Sequence, residues 1–221
     1  MSNSNNTVIM NLVANATATN AGNAVQTPME HMRDAVNAQA KKGAGSSVAL
    51  TEQALCGLVV LRANEAKDAL SEALSKTTNI PLPDRLQSVE NGDYCARWMT
   101  PDEWLLSCPI AQAFELETSL RSEVDGHIAV VNVSGGFSVF VLSGVNARNV
   151  LRKSSAYDVN PENFPEGKVV NTLLAKSQVT LRALADDAFE IVVRRSFADY
   201  VWLWLQRAGK EYDIQLSLLD S

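Results

Sequence analysis

The side chains of this chain that are able to do chemistry are few and scattered. Adjacent carboxylates occur at Asp102-Glu103 and Asp186-Asp187, and paired acids are the raw material of general acid/base catalysis. Both pairs sit in turn-like surroundings, where neighbouring side chains point in different directions and are solvated. Arg194-Arg195 closes a β-branched run and offers guanidinium groups suited to a carboxylate or phosphate. Successive side chains on a strand face opposite ways, so the two do not converge on one anion. They are expected at a solvated strand end or in an ion pair between subunits. His127 follows Asp125-Gly126 and reads as flanking a turn, with proton transfer as the alternative. Asn132 is the one polar residue in an apolar run and is expected to satisfy a neighbouring backbone group.

No catalytic or metal motif gathers these residues. The chain contains no GxSxG, HExxH or GxxxxGK[ST] sequence, which removes the common hydrolase, metalloprotease and P-loop readings. Ser134-Gly135-Gly136 follows one β-branched run and leads directly into another. No helix N-terminus is there to receive an anion, so the segment reads as a hairpin turn rather than a phosphate cradle. Cys56, Cys95 and Cys108 are odd in number and show no CxxC spacing, which argues against a disulfide framework and a zinc site. They are expected to be reduced and buried. With only His31 and His127 in the chain, a metal centre of three histidines is excluded.

The elements that position these residues are read from periodicity. Leu58 to Leu61 predicts a buried strand, and the spacing of Ala66, Ala69, Leu70, Ala73 and Leu74 predicts a helix that Pro81 and Pro83 end. Strands are expected over 94–99 and 103–107, separated by Thr100-Pro101-Asp102, and a helix from Pro109 to about Leu120. Ile128 to Val133 and Phe137 to Leu142 are apolar on both faces and predict a central, buried hairpin. Gly144 leads into a helix bearing Ala147, Val150 and Leu151. Further strands are expected over 169–174, 179–184 and 189–194. In the last helix Ser196 is placed as the cap, and Phe197, Val201, Trp204, Leu205 and Ala208 form a core stripe that leaves Trp202 and Leu203 pointing elsewhere. Either a strand at 214–218 covers that second face, or Trp202 and Leu203, with Arg194 and Arg195, form a subunit interface.

Residues 1 to 46 are rich in Asn, Ala, Thr and Ser and read as a low-complexity extension. Within it Thr27-Pro28-Met29-Glu30 carries a capping box, and Met29, Met32 and Val36 share a face, which predicts a short conditional helix over 28–42. The expected organisation is this extension followed by one α+β domain over 47–221. With 221 residues, 46% of them hydrophobic, the chain can bury a sizeable core. Its net charge of −6 disfavours nucleic acid as a partner. No apolar run reaches the roughly 18–20 residues of a membrane span, and the N-terminus lacks a secretory pattern. A cytoplasmic protein is expected.

Taken in order, Pro101-Asp102-Glu103-Trp104-Leu105-Leu106, Asn132-Val133-Ser134-Gly135-Gly136, Leu142-Ser143-Gly144, Phe164-Pro165-Glu166-Gly167 and Ser196-Phe197-Ala198-Asp199-Tyr200 make a series of short signatures. The series resembles the gamma subunit of heterotetrameric sarcosine oxidase over about Ala49 to Tyr212. The resemblance implies an antiparallel α+β fold like that of folate-binding aminomethyltransferases. It implies a non-catalytic accessory subunit of a complex that demethylates sarcosine to glycine, passes the one-carbon unit to tetrahydrofolate and reduces oxygen to peroxide. Partners would be the alpha, beta and delta subunits, which are implied to carry FAD, FMN, NAD, tetrahydrofolate and zinc. No catalytic, cofactor or metal residue is implied on this chain. Two positions depart from the pattern: the signature ending in Asn132 to Gly135 usually begins with Asp, and Asn171 stands where Arg is frequent. A similarly built subunit of an N-methylglutamate dehydrogenase and a stand-alone folate-binding one-carbon protein are the alternatives.

Overall fold

The computed structural model describes residues 26–40 and 46–219. The Asn-rich stretch before residue 26 and the expected helix end at Lys41, Lys42 and Gly43 lie outside them. The chain divides into two compact units, one over 55–135 and the other over the described parts of 23–54 and 136–221. The expected α+β domain over 47–221 thus comprises two compact units that meet in sequence after Gly135, and the described residues 26–40 fall in the second.

The first unit contains β2 (Gly57–Ala63), α2 (Lys67–Thr78), β3 (Ser88–Asn91), β4 (Tyr94–Thr100), β5 (Glu103–Cys108), α3 (Ala113–Glu123) and β6 (Ile128–Asn132). Its sheet has the order β3-β4-β5-β2-β6 and is antiparallel throughout. Without the short β3, the connection β2-α2-β4-β5-α3-β6 is a split βαβ arrangement. Period-2 alternation points Val59, Leu61, Trp104, Leu106 and Val130 toward Leu70, Leu74, Leu116 and Leu120 of the two helices, and all are buried in one core. The buried Trp104 indole donates to Pro83 O at 2.9 Å, so the chain leaving α2 is tied to the sheet centre. Gly57 is required where it stands, because a Cβ there would meet Cys108 Sγ at 2.7 Å.

The second unit contains α1 (Arg33–Ala40), β1 (Ala49–Glu52), β7 (Phe137–Ser143), α4 (Ala147–Ser154), β8 (Val169–Leu174), β9 (Ser177–Ala183), β10 (Phe189–Arg194), α5 (Ala198–Ala208) and β11 (Gln215–Leu218). Its sheet runs β11-β1-β7-β10-β9-β8, with β1 parallel to β11 and the other pairs antiparallel. The order β9-β10-β7 repeats the β4-β5-β2 order of the first unit. Here β1 occupies the place beside the central strand that β6 takes in the first unit. Phe140 meets Trp202 edge-on at 5.4 Å, and Phe164 stacks on Phe189 at 6.0 Å. The first pair joins α5 to the sheet, and the second joins the turn between α4 and β8 to it.

Two expectations fail here for identifiable reasons. Ile128–Asn132 and Phe137–Ser143 do not form a hairpin: β6 pairs with β2 and lies at the edge of its sheet, while β7 is central in the other sheet. Ser134–Gly136 forms a 3₁₀ turn with neither glycine at positive φ, so the backbone geometry of a tight hairpin is absent. Far from being buried, β6 exposes Ala129, Val131 and Asn132. The capping box at Thr27 is also not formed. Glu30 instead pairs with Arg33 at 2.6 Å, and Met29, not Thr27, precedes the 3₁₀ turn Glu30–Met32.

Candidate subunit interface

Helix α5 and the 3₁₀ turn before it carry four large apolar side chains more than the sheet contact uses. Its buried face is Ala198, Val201, Trp202 and Leu205, the i, i+3, i+4, i+7 pattern of a helix packed on one side. At about 100° per residue, Phe197, Tyr200, Leu203 and Trp204 fall within an arc of roughly 120° on another side. Phe197 is 47% exposed, Leu203 51% and Trp204 37%. Tyr200 and Trp204 lie 6.3 Å apart in a tilted pair. Single exposed apolar residues are ordinary, but several large ones on adjoining turns mark a contact surface.

The expected interface residues are redistributed. Trp202 is fully buried against Phe140, so it is a core residue and not a docking anchor. Its Nε1 has no hydrogen-bond partner. Leu203 does face solvent. Phe197 and Trp204, assigned to the core stripe by sequence, are the ones exposed. Two overlapping i, i+3, i+4 sets are present in this helix, and periodicity alone does not choose between them. Ser196 makes no cap, because Arg195–Phe197 is a 3₁₀ turn and α5 begins after Phe197.

Around this face the polar groups are engaged with the protein itself. Trp204 Nε1 donates to the buried Ser154 Oγ at 3.2 Å, and Lys153 Nζ donates to Ala208 O at 3.3 Å and pairs with Glu211. Lys153 thereby fixes α5 to α4, and Glu211 holds its pKa above the usual lysine value. Arg194 lies over the Phe137 ring at 5.9 Å, and Arg195 Nη2 donates to Gln26 O at 3.2 Å. Both arginines are exposed, as expected of a strand end. Asp199 in the first turn of α5 pairs with His31 Nε2 at 3.1 Å.

The other singled-out groups do not converge, and Asp102, Asp187 and Asn132 are held in local ion pairs or turns. Asp102 accepts from Arg62 at 2.9 Å and from Thr100 at 2.9 Å, which holds its carboxyl below the usual aspartate range. Asp187 pairs with Arg148, whose guanidinium also lies 4.9 Å over Phe189, and Asp186 and Asp187 both have positive φ. His127 is exposed. Asn132 Oδ1 accepts from Ser134 N at 3.1 Å and from Ser134 Oγ at 2.6 Å, closing the turn after β6. The Cys108 thiol is pushed up to about 12 by burial, with Cys56 adding to it, so it is a poor nucleophile at neutral pH. Among the described residues no group of three or more His, Cys, Asp or Glu is placed to hold a metal ion. No described helix is long and apolar enough to cross a membrane.

The fold is shared with the glycine cleavage system aminomethyltransferase T from Bartonella henselae, with a TM-score of 0.60 over 82% of this chain and 50% of that one at 14% identity. That likeness defines an antiparallel α+β architecture of the aminomethyltransferase kind. The model of the sarcosine oxidase, gamma subunit family matches residues 62–211, and the chain belongs to that family. Sarcosine oxidase subunit gamma from Corynebacterium sp. strain P-1 is 30% identical over 191 residues, 85% of this chain and 91% of that protein. Its counterpart from strain U-96 is 29% identical over 208 residues, 90% of this chain and 97% of that protein. The solved heterotetrameric sarcosine oxidase from Corynebacterium sp. U-96, in complex with pyrrole 2-carboxylate, contains a chain that matches with a TM-score of 0.76 at 28% identity. The match covers 86% of this chain and 97% of that one.

Proposed function

We propose that this chain is the accessory gamma subunit of a flavin-dependent, heterotetrameric oxidoreductase of the sarcosine oxidase type. The observation that carries the reading is that a solved chain of such a heterotetramer is matched over nearly its whole length. In this reading the partners are the alpha, beta and delta subunits, which carry FAD, FMN, NAD, tetrahydrofolate and zinc. This chain supplies no reacting group of its own. Asp102 and Asp187, held in ion pairs with Arg62 and Arg148, support that assignment. The exposed face of α5, with Phe197, Leu203 and Trp204, is the surface offered to a larger subunit.

Affinity capture of the tagged full chain from its native cells tests the proposal. Larger chains carrying yellow flavin absorbance are expected to co-purify, with sarcosine-dependent peroxide production in the captured fraction. Recovery of this chain alone, colourless and monodisperse, would overturn it.

A further inference from the structure

One carboxylate, Glu52, is buried beside apolar cross-strand neighbours. Glu52 ends β1 and is 1% exposed. Its direct cross-strand neighbours are Phe140 on β7 and Leu218 on β11, both apolar. One carboxylate oxygen accepts from the Met29 amide at 3.3 Å, and the other, Oε2, has no hydrogen-bond partner. Thr27 lies beside the carboxyl, and its hydroxyl favours the charged form without completing a full hydrogen bond to Oε2. A carboxylate removed from water with a single long hydrogen bond is poorly compensated. Its neutral form is not.

Among the described residues, those that meet the Glu52 carboxyl from outside the sheet belong to segment 26–40. Thr27 is 3% exposed, Met29 0% and Val36 2%, and α1 packs on β11. The remaining ties of the segment are peripheral. Arg195 donates to Gln26 O, and His31 pairs with Asp199 where both side chains are more than half exposed. The charged groups of the segment that face Glu52 are Glu30 and Arg33, and these already pair with each other through two contacts of 2.6 and 2.8 Å. No other ionisable group answers the Glu52 charge from β7 or β11.

We propose that segment 26–40 is a strap whose seating on the sheet is governed by the proton on Glu52: neutral Glu52 seats it and ionised Glu52 loosens it. Burial is the largest influence on this carboxyl and pushes it above the ordinary glutamate range. The Thr27 hydroxyl, the Met29 amide and Arg33 act in the opposite direction, and Glu30 adds to the rise. A carboxyl whose pKa is raised in the seated state lends that state its full stability below the ordinary value. That contribution is lost as pH rises through the raised one. Within that window the seated-to-unseated ratio falls by up to about tenfold per pH unit. The inference concerns the chain by itself and does not depend on the complex proposed above.

The test uses the full chain with its five methionines labelled at the ε-methyl carbon, Met29→Leu assigning the Met29 resonance, and a titration that starts below the ordinary glutamate value and continues into the alkaline range. The Met29 signal is expected to move from a buried toward a solvent-like position as pH rises. Glu52→Gln is expected to hold it at the buried position throughout, and His31→Ala to leave the wild-type response in place. A flat wild-type response overturns the proposal, and it does so even if Glu52→Gln does not fold. So does a Glu52→Gln titration that follows wild type, or a response that disappears only in His31→Ala.

Discussion

Trp204 donates its indole N–H to Ser154 Oγ at 3.2 Å while 37% of the residue remains exposed, so one side chain both joins α5 to α4 and contributes to the free face of α5. Ser154 is buried and passes its own hydrogen on to Val150 O at 2.7 Å. The polar edge of Trp204 is thus spoken for within the chain, and its ring is what remains for a partner. An aromatic held in place before binding loses little rotamer freedom on contact.

Leu203→Asp is expected to separate assembly from folding. The residue is half exposed, so the stability of the isolated chain should change by less than about 1 kcal/mol. A charge placed in a desolvated contact should reduce capture of the larger subunits at least tenfold. Co-purification yield and a urea titration measured on the same variant decide it, and normal capture would remove α5 from the interface.

Trp202 is expected to behave in the opposite way. Trp202→Ala should cost about 3–5 kcal/mol of folding stability, as emptying a buried aromatic site does, with assembly failing only as folding fails. Trp202→Phe should cost much less, because the lost indole N–H has no hydrogen-bond partner to forfeit. Equal losses in the two variants would contradict this.

Gly144 has φ +108°, and a Cβ there would come 2.5 Å from Ser47 O. Gly144→Ala is expected to destabilise by about 2–4 kcal/mol through backbone strain and the clash together. Gly92 has φ +57° with nothing within 4 Å, so Gly92→Ala should cost only about 1 kcal/mol. Chemical denaturation of the pair measures the difference, which combines the Ser47 contact with the greater backbone strain at φ +108°.

Two residues inserted between Gly135 and Gly136 should be tolerated, with Tm lowered by less than about 4 °C. No ladder register crosses this point, and neither glycine has a neighbour within 4 Å of a Cβ position. A hairpin would lose its register under the same insertion. Thermal denaturation with a shift beyond about 10 °C would speak for pairing of β6 with β7.

Much of the fold was legible because local pattern and final contact agree. β4 and β5 are adjacent in sequence and paired in space, and Thr100-Pro101-Asp102 marks the turn between them. The helix containing Leu70 and Leu74 shows one clear apolar face and ends before two prolines. The β6–β7 error has the opposite cause. Two β-branched runs around Gly-Gly look alike whether they pair with each other or with distant strands, and Asn132 finds Val59 while Phe140 finds Ile191 and Glu52. β1 leaves no strand signature in the sequence, being four residues long with an acid at a buried position. The interface was half legible. An excess of apolar residues on the last helix was evident, but which of them turn outward is decided by where the sheet lies.

β1 lies between β7 and β11, so Leu50 has its two partners at Leu142 and Leu216. The whole of the first unit is spelled out between β1 and the strand that receives it. On a ribosome, residues 55–135 can close their sheet as a continuous piece, whereas β1 emerges early and waits for nearly the entire chain before both its edges are filled. The second sheet is therefore completed last, by the C-terminal strand. A chain stopped before residue 215 is expected to keep the first unit folded and leave β1 with one open edge, a difference that amide exchange at Leu50 and Leu61 would register.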